Sequence, residues 1–400
     1  MRSIQQLLQY KLPLAARWLV LCLLMALPLA FAVSQYQPGE GFTALIFFGS
    51  DFQAQASSRL VDLSRASVPG PGYDGQFYAQ MALDPLLRDP STLAALDNPA
   101  YRARRIFVPL LAYLAGFGQP LLILQSYALI NLVFFAALLL GLYAFQRPGS
   151  VQEFLIVAAI AWTGGALASV SRALIDLPAS VLLLLACFLP PNLAKLSMVA
   201  ALLTRETSLV SLLVFLWPGS PRFALPTGNS EQPPNPRQAQ AAWIWQWLRA
   251  ALLLLPLSIW LLYVDARLPG ASAGGLLGSN NFSLPFLAWG QHILDSIRSM
   301  RPAAVGEIAA CLSLGAQAVY LIAFPRQESP IWRMGIGFAL LYFCLGSAVF
   351  VNQLAYGRVV LPLTFAFNLL LWQKEARGFL LWFLAGNAGI ALGFATSLLF

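Results

Sequence analysis

Histidine is nearly missing from this chain. His292 is the single one in 400 residues, which excludes a metal centre built on several imidazoles. Charge is scarce as well: Asp, Glu, Lys and Arg make up 10% of the residues, against about 25% in an average soluble domain. The four cysteines, Cys22, Cys187, Cys311 and Cys344, all lie inside apolar runs, and none forms a CxxC pair. Neither a disulfide framework nor a thiolate zinc site is therefore expected. There is no internal repeat, and no Lys/Arg cluster with interleaved aromatics on a polar face. The net charge of +8 therefore does not point to nucleic acid as a partner.

What the chain has in excess is apolar surface. Hydrophobic residues are 59% of it and the mean hydropathy is +0.70, where soluble domains average about 45–50% apolar. Much of the chain must have lipid for a solvent. A helix needs about 20 apolar residues to cross the hydrocarbon, and runs of that kind occupy 17–35, 119–145, 153–171, 175–191, 242–263, 303–324, 333–352, 358–373 and 378–399. The first run, preceded by Arg2, Lys11 and Arg17, has features of a cleavable signal peptide, but with so much membrane-embedded chain after it an uncleaved anchor is expected. Segment 195–217 is apolar too, but Arg205 and Glu206 interrupt it.

Lys and Arg in short loops set orientation. With the N-terminus in the cytoplasm, and 195–217 folded as a broken hairpin of two short helices, the cytoplasmic face holds twelve Lys/Arg against four acids; the opposite face holds twelve of each. The expectation is an all-α polytopic protein of a bacterial inner membrane, residues 1–400 forming one transmembrane domain. About 11 helices would cross, with the C-terminus in the periplasm. A long first periplasmic loop, 36–118, would carry amphipathic surface helices. Loop 218–240 would be cytoplasmic and loop 265–302 periplasmic.

Three constellations carry possible chemistry, the first of them in two parts. In Tyr73-Asp74-Gly75-Gln76-Phe77-Tyr78, Asp74 stands where a surface helix begins, either as its N-cap or as a reactive acid. In Tyr101-Arg102-Ala103-Arg104-Arg105, arginines meet the membrane surface before the Pro-containing run Val108-Pro109-Leu110. Their planar forks suit phosphate, although snorkelling to headgroups is an equal alternative. Arg172 and Asp176 are four apart and can pair on one helical turn. In Thr204-Arg205-Glu206-Thr207, two charges stand side by side in an apolar segment. Each costs about 2.5–3.5 kcal/mol at mid-membrane, so a site is a better reading than a structural ion pair alone.

Taken in order, these patterns resemble the GT-C superfamily of integral-membrane glycosyltransferases, which includes protein O-mannosyltransferases and lipid A aminoarabinose transferases. The resemblance rests on Asp74-Gly75-Gln76-Phe77-Tyr78, on Val108-Pro109-Leu110-Leu111-Ala112-Tyr113, on the step from Arg172 to Asp176, and on Leu203-Thr204-Arg205. It covers about residues 1–265. It implies an inverting glycosyltransferase that moves a sugar from a polyprenyl-phosphate donor to a glycan, lipid or protein acceptor, within membrane lipid. Asp74 would be the general base, and Arg104, Arg105, Arg205 and Arg358 would bind the donor phosphate. Tyr73, Gln76, Tyr78, Arg172, Asp176 and Glu206 would support them, and Asn280 and Asn281 would meet sugar or acceptor or merely start the next amphipathic helix. Gly75 stands where the resembled enzymes commonly have Glu, and no second acid adjoins Asp74, so no cofactor is called for and a divalent metal lacks support. The rival readings are a lipid or polysaccharide flippase and a non-catalytic membrane subunit of a glycan-assembly complex. The absence of repeated halves, together with the long outer loop, favours the enzyme.

Overall fold

The computed structural model describes residues 2–212, 214, 236–268, 280–299, 301–373 and 376–399. The expected span 195–217 and the loops 218–240 and 265–302 each run partly outside these residues, whereas the expected span 242–263 lies within the helix Pro236–Arg267. The rest is overwhelmingly helical; its one sheet pairs Phe48–Gly49 in parallel with Ser67–Val68.

Four helical stretches among the described residues are long and apolar enough to cross a membrane: Leu14–Ser34, Pro120–Gln146, Pro302–Ala323 and Gly378–Thr396. Val151–Ala161 and Gly164–Ser171, bent by 47°, make a fifth if they count as one span. The protein is a helical membrane protein, but the described residues show four or five such spans, not the expected eleven. The apolar runs 175–191, 333–352 and 358–373 coincide in large part with the helices Asp176–Phe188, Pro330–Phe343 and Leu361–Leu370. At 1.5 Å per residue the longest of these reaches only about 21 Å, short of the ~30 Å hydrocarbon. Most of their apolar side chains face protein, and all ten residues of Leu361–Leu370 are buried. A hydropathy window cannot tell a lipid-facing run from one buried in a protein core.

The long loop 36–118 is also more deeply folded than its pattern suggests. Helix Gly75–Leu83 was expected to lie amphipathically on the membrane surface, but all nine of its residues are buried. Phe77, Tyr78 and Met81 pack in one cluster with Ile46, Phe48, Val108 and Tyr127. The polar side chains can be buried because the loop supplies partners: the Gly49 N–H donates to Gln76 Oε1 at 3.0 Å and the Ser57 N–H to Gln80 Oε1 at 2.9 Å.

Gly75 permits this docking. A Cβ there would press on the carbonyl oxygens of Arg172 and Ile46. Gly75→Ala should therefore destabilise the fold by about 1–3 kcal/mol, measured as a lower melting temperature in detergent. An unchanged midpoint would mean that the helix entrance can shift freely.

Candidate active site

Asp74 precedes the buried helix but does not cap it with its side chain. Instead its carboxylate accepts from Arg102 Nη2 at 2.8 Å and from Arg358 Nη2 at 2.7 Å. Burial pushes the carboxyl pKa up, but the guanidiniums of Arg358 and Arg102 outweigh it and hold Asp74 well below the ordinary carboxylate range.

Each arginine arrives by a local rule. Asn98 Oδ1 accepts from the Tyr101 N–H at 3.1 Å and starts the single turn Pro99–Arg102. That turn carries Arg102, which also grips Asp97 through Nε at 2.8 Å and Nη2 at 2.7 Å. The Arg105 N–H closes the next turn on the Arg102 carbonyl at 3.1 Å. Residues three apart in such a turn share a side, so Arg102 and Arg105 face the same way. Arg358 lies in the last turn of helix Gln353–Val359. Arg205 sits at the break where helix Pro191–Thr204 gives way to the 3-10 turn Glu206–Ser211.

Beside Asp74 and Asp97, two further acids hold these cations in place. Asp176, 3% exposed, pairs with Arg205 and lies 3.8 Å from Arg358 Nη1. Glu206 forks Arg105 with contacts of 2.6 and 2.8 Å. Arg105 also donates to the Tyr78 hydroxyl at 2.8 Å and stacks 4.1 Å from the Tyr101 ring.

Together these side chains line a cavity of about 180 Å³ with four arginines, Arg102, Arg105, Arg205 and Arg358, against two aspartates, Asp74 and Asp176. Tyr101, Arg105, Arg205 and Arg358 also border an adjoining groove of about 320 Å³, whose walls include Leu209, Val210, Leu341, Leu345 and Val349. Among the described residues, Nε of Arg205, Nε of Arg358 and Oγ1 of Thr207 are buried without a hydrogen-bond partner. Native proteins seldom leave such donors unmet. The arrangement suits an amphipathic anion: a phosphate among the guanidiniums, with an apolar tail along the groove. Both Asp74 oxygens are taken by arginines, and among the described residues no three His, Cys, Asp or Glu side chains are grouped to hold a metal ion.

The residues expected from sequence are distributed unevenly. Asp74, Tyr78, Arg105, Asp176, Arg205 and Arg358 line the cavity, and Glu206 and Asn281 line the groove. Tyr73 stands behind, its ring 5.1 Å from the Arg358 guanidinium and 4.5 Å from that of Arg172. Gln76 braces the loop, donating to the Pro71 carbonyl at 2.7 Å. Asn280 is outside the cavity; its carbonyl accepts from the Ala348 N–H at 3.2 Å.

Two expectations need correction. Arg104 is buried but does not line the cavity; Arg102 takes that place, because positions 102 and 105 share a side of the turn. Arg172 does not pair with Asp176. The helix stops at Ser171, Ala173 takes a left-handed conformation (φ 45°), and Asp176 opens the next helix. Arg172 turns instead over Tyr73 and Phe47, lining a separate apolar groove with Leu27 and Phe31. Tyr101 and Thr207 were missed as lining residues; the Asn98-Pro99 start signal was the available clue for Tyr101.

No family model, no curated protein and no solved structure matches this chain.

Proposed function

We propose that this protein is an inverting glycosyltransferase of the GT-C kind, moving a sugar from a polyprenyl-phosphate carrier to an acceptor hydroxyl at the periplasmic face of a bacterial inner membrane. The observation that carries the reading is the arginine cavity with Asp74 in its wall, continuous with an apolar groove.

In this reading the carrier's tail lies along Leu209, Leu341 and Val349, and its phosphate draws on Arg205, Arg358 and Arg105. Asp74 removes the proton of the acceptor hydroxyl as that oxygen attacks the anomeric carbon from the face opposite the phosphate. The carbon–oxygen bond to phosphate breaks, and the leaving polyprenyl phosphate keeps the electron pair. Its growing charge is neutralised in a site poor in water, where preorganised donors are most effective. Arg358 links the two halves of the reaction: once it shares the phosphate, one of the two cations depressing Asp74 is drawn away and the base strengthens.

Binding tests the reading. Purified protein should bind polyprenyl phosphate at least about tenfold more tightly than either the uncharged polyprenol or inorganic phosphate, because head and tail sites are contiguous. Equal affinity for the alcohol would refute a phosphate site.

The proposed orientation has its own test. In a Cys-free background, a membrane-impermeant thiol reagent should label Ala56→Cys but not Ser230→Cys in cells permeable only at the outer membrane. The reverse pattern would move Asp74 to the cytoplasmic side and end the periplasmic reading.

A further inference from the structure

Apart from the arginine cavity, a polar hollow of about 420 Å³ opens beside helix Leu287–Ser299. That helix contributes His292, Asp295 and Ser296, while Glu307, Arg301 and Phe350 close the other sides. Its size is within the range of about 300–1,000 Å³ usual for small-molecule sites.

The chemistry of its walls is mixed in a selective way. The His292 ring stacks on Phe350 (5.5 Å, 29°) and meets Tyr356 edge-on at 5.5 Å. These contacts fix the imidazole, while Nε2 is buried and has no hydrogen-bond partner among the described residues. Glu307, 12% exposed, lies 3.6 Å from Arg301 and 3.5 Å from Ser296 Oγ. The hollow's carboxylates are already paired, Glu307 with Arg301 at 3.6 Å and Asp295 with Arg298 at 3.8 Å, so no free charge is left to select an ion. A neutral polyol needs none, because each of its hydroxyls both donates and accepts, and the aromatic wall offers a sugar's apolar face something to cover.

The hollow also adjoins the proposed donor site. Ala348 and Val349 border the donor groove, whereas Ser347, Phe350 and Val351 border the hollow, so one short loop forms the wall between them. Tyr356, in contact with His292, is two residues from Arg358 on the same helix. We infer that this hollow is a glycan subsite: it holds a neutral sugar of the acceptor, away from the hydroxyl that reacts. The acceptor is then an oligosaccharide-bearing molecule. This inference rests on the glycosyltransferase reading for its purpose, but not for the binding itself.

Saturation-transfer NMR on the full chain in nanodiscs tests it, with free neutral mono-, di- and trisaccharides as probes and inorganic phosphate as control. At least one saccharide should bind. Glu307→Gln and His292→Ala should weaken it about tenfold or more, whereas Asp74→Asn should leave it unchanged. Gln291→Ala and Asp295→Asn, both at exposed positions, give the same reading if the first two variants fold poorly. Failure of every saccharide to bind at millimolar concentration, or binding indifferent to all four hollow variants, overturns the subsite. Hydrolysis of the labelled donor by water, measured on the same preparations, should be unaffected by the hollow variants. Saccharide binding without donor binding would remove the glycosyltransferase reading and leave the subsite standing; donor hydrolysis without saccharide binding would do the reverse.

Discussion

Asp74→Asn should lower sugar transfer by about 10²–10⁴-fold, the usual cost of losing a general base, while expression and donor affinity stay near wild type. The amide keeps the shape of the carboxylate. The two arginines it releases are not left alone: Arg102 retains Asp97 at 2.7 Å and Arg358 retains Asp176 at 3.8 Å. A purely structural Asp74 would show the opposite pattern, with a lowered melting temperature and turnover reduced only in proportion to the folded fraction. Acidity adds a second signature. The folded carboxyl is depressed below its ordinary value of 3.8, so its ion pairs contribute fully above that pH and are lost only as pH falls through the lower folded value. The profile of kcat/KM, which reports the free enzyme, should therefore show no acidic limb from Asp74 above about pH 4. The limb in kcat should lie at higher pH, because donor phosphate draws Arg358 away. A limb in kcat/KM near neutrality that disappears in Asp74→Asn would contradict the geometry.

Arg205→Ala should weaken donor binding about thirtyfold or more, since truncating one partner of a buried charge pair costs roughly 2–5 kcal/mol. The loss should extend to turnover, because phosphate charge grows as the bond breaks. This variant also strips the buried Asp176 of its closest cation, so affinity must be referred to folded protein. Arg205→Lys separates the two effects: it restores a positive charge beside Asp176 but not the fork that spans two phosphate oxygens. It should recover most of the thermal stability and little of the affinity. Full recovery of affinity by lysine would reduce Arg205 to a counter-ion for Asp176.

Part of this was legible in the sequence, and the part that was not has physical causes. Two charges in an apolar segment are costly enough in lipid to mark Arg205 and Glu206 from composition alone. Asp74 was marked by turn residues before a helical pattern. The choice between Arg102 and Arg104 depended on the pitch of one turn started by Asn98, which a count of arginines does not register. Arg172 and Asp176 have the spacing of a helical pair, but the left-handed Ala173 breaks the helix between them. The buried helix Gly75–Leu83 reads as amphipathic because Gln76 and Gln80 look like a solvent face; their Oε1 atoms accept from backbone amides more than 20 residues away. The count of crossings failed for a related reason. Leu361–Leu370 is as apolar as a lipid-facing helix, but its surroundings are protein.

The central claim is that a sugar is transferred with inversion from a lipid phosphate. Its most direct test is to incubate the reconstituted protein with a β-linked polyprenyl-phosphate sugar labelled in both halves and to follow both labels. Polyprenyl phosphate should be released one-for-one with sugar transferred to acceptor or water, the new linkage should be α, and Asp74→Asn should stop both release and transfer. A donor that crosses the vesicle membrane with its sugar–phosphate bond intact would contradict the account and identify a flippase instead.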